Sequence, residues 1–344
     1  MELNRSVQAA PAEAAQALFW KKTLHHATGK MFRERAKMVS IILMKKALFT
    51  VLLLLVAAGC HDRETERLRL SFISGENWRG KAEIAKYEGN ITRYGQKRPA
   101  NLILVTVIEP FNLSQMVKSD TGRDAVDVLK QNQLLSYTTG VYRYSQMNSV
   151  FWKVRTGAFL KAVMTSQEWC GQTFKEMRRN GSVLNFRYNS YWEGEAAGES
   201  KYEERMGESF VLYDELPLVV RSDDFEKLPG LRVFPLLMSS QVNRPDWDIY
   251  SAQRRPAFTP AVVSVSSEKI QSLKGEVAAR KISVSWEEGG ARKMEDFYID
   301  ARSADRTLLA WRRYDGSLFQ LKSLHYVPYW KMNHNGDTLE SRVR

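Results

Sequence analysis

The C-terminal third of the chain alternates apolar and polar residues in short runs, which is the pattern of strands with one buried face. Every second residue of 282–287 is apolar, and the pairs Gly289-Gly290 and Asp315-Gly316 separate such runs. Pairs of this kind favour tight hairpins, because primed turns need positive φ angles. No helical periodicity intervenes, so the pattern predicts a mainly β fold, either an antiparallel curved sheet or an open barrel. The predicted strands are 261–266, 282–287, 294–300, 307–314 and 318–329.

The first half of the chain carries the same signal less regularly. The branched apolar run 101–108 is typical of a central strand, and Pro110 is expected to end it. Residues 124–135 stay open between helix and strand, since their apolar residues could share a helix face but Gln and Asn interrupt them. Residues 210–220 are predicted as a strand whose end Pro217 confines to an edge or a bulge.

Residues 44–59 have the three parts of an export signal. Met44 and two lysines precede an apolar run at 47–56, and small residues follow it directly before Cys60. The run is shorter than the roughly 20 apolar residues that a membrane-spanning helix needs. If Met44 is the start, residues 1–43 are a misassigned extension outside the exported product. The alternative is a cytoplasmic arm that binds an acidic partner.

The small residues followed by Cys60 resemble the lipobox of bacterial lipoproteins, although Ala57 stands where that family most often has Leu. The resemblance implies diacylglycerol transfer to the Cys60 thiol, cleavage before it, and acylation of the new amino terminus by a fatty acid such as palmitate. By the same resemblance, His61 in place of an aspartate implies sorting to the outer membrane, facing the periplasm. The implied partners are the lipoprotein-processing and sorting machinery and, through the lipid anchor, the membrane.

Composition changes between residues 222 and 260, where five prolines fall among few periodic apolar residues. This is typical of a long irregular connection, so the folded part is either one β unit or two β lobes joined by it. The expected divisions are an extension at 1–43, the signal at 44–59, a lipidated tether at 60–75, a first β lobe at 76–222, the Pro-rich connection at 223–260, a C-terminal meander at 261–332 and a tail at 333–344.

The charge balance does not indicate a nucleic-acid partner. The whole chain has 51 Lys and Arg residues against 39 Asp and Glu, a net charge of +12. Residues 1–59 hold nine of the basic and three of the acidic residues, so the exported part keeps a surplus of only +6. Without basic runs, so modest a surplus is no electrostatic footprint for nucleic acid.

Cys170 is the strongest candidate for nucleophilic chemistry. It is the only cysteine after Cys60, so we expect no disulfide within the exported chain and a buried thiol. A nucleophilic cysteine needs a base within hydrogen-bond reach, and in the exported part of the chain His325 is the one histidine outside the tether and tail. A Cys170–His325 pair is weighed against a structural cysteine, which is the commoner case.

Other catalytic and cofactor signals are missing from the sequence. Adjacent carboxylates on a strand point to opposite faces, so we interpret such pairs as solvated surface or turn residues. Histidine and cysteine have no metal-ligand spacing, and no Gly-rich loop would cradle a phosphate. We therefore expect neither a metal nor a cofactor. The carboxylate pairs are Glu203-Glu204, Asp214-Glu215 and Glu287-Glu288.

Six aromatic residues on predicted strands are the remaining candidates for binding. Residues 141–147 alternate strictly, and 186–192 do so again, which gathers aromatic side chains on one face of each strand. These side chains could be ordinary core, or they could line an apolar cavity that holds an acyl chain or another hydrophobic ligand. The six are Tyr142, Tyr144, Tyr188, Trp192, Trp286 and Trp311.

Three motifs, together with the lipobox, resemble a family of uncharacterised Gram-negative outer-membrane lipoproteins. They are YEGNITRYGQKR at 87–98, TGVYRYSQMNSVF at 139–151 and SQEWCGQ at 166–172. Members are often mislabelled as the septum formation inhibitor Maf, but no motif of that cytoplasmic pyrophosphatase family occurs here. LAWRRYDGSLFQL at 309–321 resembles β-rich periplasmic domains of unknown function with a curved antiparallel sheet. Over most of 76–330 the resemblance implies fold and location, and it carries no activity.

Three functional hypotheses follow. The first is a non-enzymatic outer-membrane lipoprotein that binds a hydrophobic ligand or an envelope partner. The second is a structural subunit whose exposed aromatic residues dock on another envelope protein. The third is a thiol hydrolase that uses Cys170 and His325. An enclosed apolar cavity would favour the first, an exposed aromatic patch the second, and a thiol beside His325 in an open cleft the third.

Overall fold

The computed structural model describes residues 44–46, 68–244, 255–273 and 275–342. The chain divides into two units, Met1–Arg63 and Glu64–Arg344. Of the first unit only one helical turn at 44–46 is described, so Cys60, the predicted extension and nearly all of the predicted signal lie outside the described residues. All the strands given below belong to the second unit.

Sixteen strands occur in the described residues, and they form a single sheet. The strands are β1 (Ala82–Arg93), β2 (Gln96–Asn112), β3 (Val117–Lys118), β4 (Ala125–Thr139), β5 (Tyr142–Lys153), β6 (Ala158–Glu168), β7 (Gly171–Asn180), β8 (Val183–Ser190), β9 (Ala197–Glu203), β10 (Ser209–Leu212), β11 (Leu231–Phe234), β12 (Thr259–Ser272), β13 (Gly275–Glu288), β14 (Ala291–Asp300), β15 (Leu308–Arg312) and β16 (Leu318–Val327). Their order across the sheet is β10-β11-β12-β13-β14-β15-β16-β1-β2-β4-β5-β6-β7-β8-β9, with β3 attached to β2.

The two strands at the ends of the sheet are consecutive along the chain. Among the described strands β9 pairs only with β8 and β10 only with β11, and residues 204–208 connect them. β1 and β16 pair in the middle of the sheet, with Ala82 opposite Val327. All pairings are antiparallel except β10–β11, which is parallel. The predicted mainly β, antiparallel sheet is confirmed, and of the two arrangements left open the structure shows one sheet rather than two lobes.

In the first half of the chain, the structure decides one question that the sequence left open and shows one local prediction to be wrong. The segment left open at 124–135 is strand from Ala125 onward, where it forms part of β4 between β2 and β5. The prediction that Pro110 ends its strand is wrong, since β2 continues to Asn112. β1 begins at Ala82, opposite Val107, so β2 has no β1 residue beside it at Pro110. The missing N–H of this proline therefore costs no hydrogen bond to β1.

The chain between Ser209 and Val242 packs against the buried face of the sheet. We call this part of the chain the inner segment, and the face that it covers the inner face. Most of its side chains are buried and share one hydrophobic core with the inner faces of the strands. The strand predicted over 210–220 therefore stops at Leu212, where the chain turns inward, and Pro217 lies instead in the first turn of a helix, α1 (Leu216–Val219). The predicted connection is described at 223–244 and 255–260. The first of these parts is largely buried and contributes β11, and the second leads into β12.

Helices are few and short in the described residues. None of them has the length and apolar composition that would let a helix cross a membrane. Besides α1, there are 3-10 helices at Ser71–Ile73, Glu76–Trp78, Tyr213–Glu215, Phe225–Lys227, Tyr329–Lys331 and Leu339–Arg342.

Candidate functional site

Four hairpins of the sheet turn at the same end, which we call the tip end. Neighbouring strands are antiparallel, so the turns of β1–β2, β4–β5, β6–β7 and β8–β9 all project from one edge of the strands. The folded unit begins at the opposite end, where Leu68 passes the β5–β6 turn. That passage requires glycine, because a Cβ on Gly157 would lie 1.7 Å from the Leu68 carbonyl oxygen. The turns of these four hairpins are 94–95, 140–141, 169–170 and 191–196, and the β13–β14 and β15–β16 hairpins turn at the same end, at 289–290 and 313–317.

The tip end carries a continuous exposed aromatic surface. Val141 is 83% exposed, Trp169 75% and Tyr191 63%. The rings of Tyr142 and Trp169 lie 6.2 Å apart, and the Tyr191 ring covers Gly171, where a Cβ would lie 2.3 Å from it. Three neighbouring hairpins therefore share one surface, and exposed apolar patches of this kind mark interaction sites. We call it the aromatic rim: Val141, Tyr142, Trp169, Tyr191 and Trp192.

A chain of phenol hydroxyls connects the aromatic rim to the interior. Tyr142 OH donates to Tyr94 OH at 3.0 Å, and the hydroxyls of Tyr94 and Tyr144 lie 3.0 Å apart. Arg93 Nη2 donates to Tyr144 OH at 3.1 Å, and the Tyr144 ring stacks on Tyr137 at 4.6 Å. These contacts fix the β1–β2 and β4–β5 hairpins to each other, so Tyr142 is held in place on the surface.

Arg93 links the aromatic rim to the inner segment. Its side chain is 2% exposed, its guanidinium lies 4.8 Å from the Tyr144 ring, and Nη2 also donates to Ser240 Oγ at 3.1 Å. The neighbouring carboxyl of Glu168 is largely buried. Burial raises the pKa of Glu168, while the Tyr144 hydroxyl and the Arg93 guanidinium oppose that shift.

Lys175 on β7 is buried beneath the inner segment. Its side chain is 1% exposed, and its Nζ lies 2.8 Å from Leu237 O, 2.9 Å from Ser239 O and 2.7 Å from Gln241 O. A fourth acceptor, Ser239 Oγ, lies at 2.8 Å. Burial lowers the pKa of Lys175 to about 7. The negative charges of Asp214 and Glu195 oppose that shift. Only the ammonium ion can donate to all three carbonyl oxygens at once.

The Lys175–Ser239 contact has the distance of a catalytic Ser–Lys pair, but its surroundings exclude that role. A lysine that serves as base must be neutral, whereas three carbonyl oxygens here require the three N–H donors of the charged amine. The Ser239 hydroxyl donates to Gln241 O at 2.7 Å, and Ser239 is only 2% exposed. Lys175 is therefore a structural cation that holds the inner segment.

Two carboxylates that the sequence pattern had suggested were solvated are buried. Asp214 and Glu215 are each 1% exposed, so the prediction of a solvated surface is wrong for this pair, although both residues do lie in a turn, the 3-10 helix Tyr213–Glu215. Asp214 accepts hydrogen bonds from the Leu237 and Met238 amides at 2.6 and 3.0 Å, and Glu215 accepts one from the Leu212 amide at 2.6 Å. Burial raises the pKa of Asp214 to about 6, and the two amide donors oppose the shift.

Glu195 and Thr173 fix the last part of the inner segment near the tip end. The Glu195 carboxylate accepts the Val242 amide at 3.0 Å and the Asn243 amide at 2.7 Å. Thr173 Oγ1 donates to Ser240 O at 2.7 Å. The buried polar residues that the sequence interpretation missed thus serve backbone groups of one loop. The apolar residues on both sides of Asp214-Glu215, 210–212 and 216–220, were the signal that this stretch is buried.

Trp286 and Trp311, two of the predicted ligand-binding residues, lie in the core around Tyr213. Their ring centroids are 6.0 and 5.9 Å from that of Tyr213. Trp311 Nε1 donates to Glu295 Oε2 at 2.5 Å, and Arg313 Nε donates to the Tyr213 hydroxyl at 3.0 Å. Burial raises the pKa of Glu295 to about 7, while Arg313 and the Trp311 indole oppose the shift.

The pKa of Glu295 predicts a pH dependence of stability. Folded chains hold this proton up to about pH 7 and unfolded chains up to about 4.5. The contribution of protonated Glu295 to the free energy of unfolding is therefore fully present below the pKa that this group has in the unfolded chain. It is lost as the pH rises through 7. Relative to Glu295→Gln, the wild type should lose free energy of unfolding between about pH 5 and pH 8, by at most about 1.4 kcal/mol per pH unit. Urea unfolding of both proteins across this range measures the difference, and a constant difference would contradict the assignment.

The remaining predicted aromatic residues do not join these two in one cavity. Tyr144 is 0% exposed and belongs to the core, whereas Tyr142 and Trp192 lie at the aromatic rim. Tyr188 lines an open cleft of about 440 Å³ together with Tyr202 and Arg255. Tyr144, Trp286 and Trp311 thus belong to one packed core, whereas Tyr142, Tyr188 and Trp192 lie partly exposed at its margin.

Cys170 and His325 are not brought together either. Cys170 is exposed in the β6–β7 turn, so the expectation of a buried thiol is wrong. His325 lies on β16 opposite Ile84, near the end of the sheet away from the tips. Five strand steps separate β16 from β6, or roughly 24 Å along the sheet at its usual spacing. In addition, no group of three or more His, Cys, Asp and Glu side chains in the described part of the chain could hold a metal ion.

Comparisons of the chain with protein-family models, with curated proteins and with solved structures give no match. The resemblance to uncharacterised outer-membrane lipoproteins therefore stays a prediction. Any assignment of function depends on the geometry of the tip end and of the inner segment.

Proposed function

We propose that this chain is a lipid-anchored outer-membrane lipoprotein that faces the periplasm and docks on another envelope protein through the aromatic rim. The observation that carries the proposal is the exposure of Val141, Trp169 and Tyr191, each above 60%, on neighbouring hairpin tips. Trp and Tyr are enriched at the centres of protein interfaces, because they bury large areas in well-packed pockets. The hydroxyl chain to Arg93 supports this role, since a rigid contact surface loses little entropy on binding.

The covered inner face supports docking over the carrying of a hydrophobic ligand. A carrier needs a concave apolar site, and such sites lie on the inner faces of curved sheets. Here the inner segment covers that face, and its side chains pack into the same core as Tyr144, Trp286 and Trp311. The aromatic residues that could have lined a ligand cavity therefore contact protein instead.

The position of the predicted anchor is consistent with a contact in the periplasm. Eight residues lead from Cys60 to Leu68, and fully extended they reach about 29 Å at most. Leu68 lies at the end of the sheet opposite the tips, and β1 alone spans about 40 Å between these ends. An anchor at Cys60 would thus hold the far end of the sheet near the membrane and leave the aromatic rim free for a periplasmic partner.

If the aromatic rim is a docking surface, the chain should form a complex that depends on Trp169 and Tyr191. The full chain, exported with its own signal, is solubilised from envelopes in mild detergent and its size measured by native electrophoresis. We expect the wild type to migrate as a complex and the Trp169→Ala/Tyr191→Ala variant to migrate as the single chain, because the two truncations remove the central apolar area of the contact.

Trp330→Ala is the matched control, since Trp330 is 44% exposed at the opposite end of the sheet. It should leave the complex intact. A Cys60→Ala variant, which removes the lipidation site, should leave the membrane fraction. Migration of the wild type as the single chain, or equal loss of the complex with Trp330→Ala, would refute docking through the aromatic rim.

A further inference from the structure

β12 presents a long unpaired edge on the side away from β13. From Ala261 to its last residue, Ser272, it pairs with β13 without a register shift. With β11 it pairs only at Thr259 and Pro260. No described strand lies beside 261–271 on that side, so a row of main-chain donors and acceptors faces outward.

The free edge of β9 is guarded, whereas the first part of the β12 edge is not. β9 is short and places the exposed charges of Glu199, Lys201 and Glu203 along its edge, which is how natural sheets prevent strand addition. β12 carries no charge between Thr259 and Ser267, and its valines are exposed, Val262 at 67% and Val265 at 43%. An uncharged, β-branched edge without a bulge invites another strand.

The hairpin register identifies which amides face the open edge. Ser272 and Gly275 close a two-residue turn, so they form a hydrogen-bonded pair and the pairing alternates from there. Even-numbered residues of β12 therefore bond to β13. The amides and carbonyls of 261, 263, 265, 267 and 269 point away from it.

We infer that this edge binds an extended, uncharged segment of a partner protein, which adds to the sheet as a further strand beside β12. A second copy of this chain fits less well. The open edge spans about 40 Å and a sheet is about 10 Å thick, so two copies meeting there would bury about 800 Å² in total. Stable dimers bury more than that, whereas a flexible strand gains main-chain hydrogen bonds along its whole length.

The segment that binds is uncharged where it lies beside Thr259–Ser267, because that part of the edge offers it no counter-charge. Further along the edge, Glu268 and Lys269 form ion pairs with Lys281 and Glu276 of β13. From Thr259 to Ser267 the strand has Ser and Val side chains outward, so a charged residue placed opposite would lose hydration without a partner. This contact is independent of the aromatic rim, which lies on β4–β9 hairpins at the other side of the sheet order.

Hydrogen exchange of single amides in β12 tests the inference. The full chain is measured twice, once in the solubilised envelope complex and once after it has been purified away from its partners. We expect the outward amides at 261, 263, 265, 267 and 269 to exchange quickly in the purified chain and at least about tenfold more slowly in the complex, with the even-numbered amides unchanged.

Three variants at one position sharpen the test. Val265→Pro removes one outward-facing N–H donor. Val265→Lys places a charge on the edge and keeps every main-chain group, so it serves as the test if the proline variant folds poorly. Both should abolish the slowing in the complex. Val265→Thr, which keeps both backbone and β-branching, should retain it.

Several outcomes would overturn the inference. Slow outward amides in the dilute purified chain would show that the edge is covered within the chain. Slowing that grows with the concentration of the purified chain would assign the edge to a second copy. Equally fast outward amides in both samples would show that nothing docks there. Since the Trp169→Ala/Tyr191→Ala variant tests the aromatic rim separately, failure at one surface is distinguishable from failure at the other.

Discussion

Replacing Lys175 by methionine is expected to lower the free energy of unfolding by about 3 to 5 kcal/mol, the range for removing one member of a buried charged network. Methionine fills the volume but donates no hydrogen bond, so the carbonyls of Leu237, Ser239 and Gln241 stay buried without their donor. Asp214 also loses the cation that favours its charged form. Urea unfolding followed by tryptophan fluorescence measures the loss.

Lys201→Met is the matched control for this substitution. Lys201 is exposed on the edge strand β9, and removing it should change stability by no more than about 0.5 kcal/mol. A loss below about 1 kcal/mol for Lys175→Met would show that the three carbonyls find other donors. In that case Lys175 does not hold the inner segment.

Replacing Arg221 by methionine should be comparably costly, by about 3 to 5 kcal/mol, because it leaves Glu83 buried and unpaired. Arg221 Nη1 and Nη2 bind the two Glu83 carboxylate oxygens at 2.7 and 2.8 Å, and both side chains are at most 3% exposed. Arg221 Nη2 also donates to Asp305 O at 2.7 Å. Tyr326 OH donates to Glu83 at 2.7 Å, so this pair ties the inner segment to β1 and β16.

The double variant Glu83→Met/Arg221→Met separates a buried pair from a simple loss of packing. Without either charge no ion is left unpaired, so we expect it to recover more than half of the loss caused by Arg221→Met alone. A double variant as unstable as the single one would contradict this. Lys118→Met provides the surface control, since Lys118 and Asp120 form an ion pair that is mostly exposed, and its loss should cost about 0.5 kcal/mol or less.

The sheet could be predicted from the sequence because strand signals are local. Alternation of apolar residues and the paired turn residues at 289–290 and 315–316 act over a few positions, and the structure has hairpins there. The order of the strands could not be predicted, since the pairing of β1 with β16 depends on contacts between the two ends of the chain. Local rules failed at Pro110 and Pro217, where the position of a neighbouring element decides whether a proline is tolerated.

The candidate sites likewise divide into features that local sequence patterns predict and features that depend on distant parts of the chain. The face on which Tyr142 and Tyr144 lie follows from the alternation of β5, and the structure buries Tyr144 on that face. Exposure at hairpin tips does not follow from alternation, so Trp169 and Tyr191 were not singled out. Charged residues were interpreted as solvated, which is the usual case. Lys175 and Arg221 differ because the carbonyls and carboxylate that stabilise them come from distant parts of the chain.

The strand order also has a consequence for how fast the chain can fold. If the chain were opened at 204–208 and its native ends joined, the strands on the main path of the sheet would follow one another in sequence. In the natural connectivity, the pairing of β1 with β16 instead closes a loop such as that between Glu83 and Tyr326, which are 243 residues apart. Closing it costs about 3 kcal/mol more entropy than closing a ten-residue loop. The two halves can each grow from local hairpins, but the pairing of β1 with β16 in the middle of the sheet must wait until β16 has been synthesised.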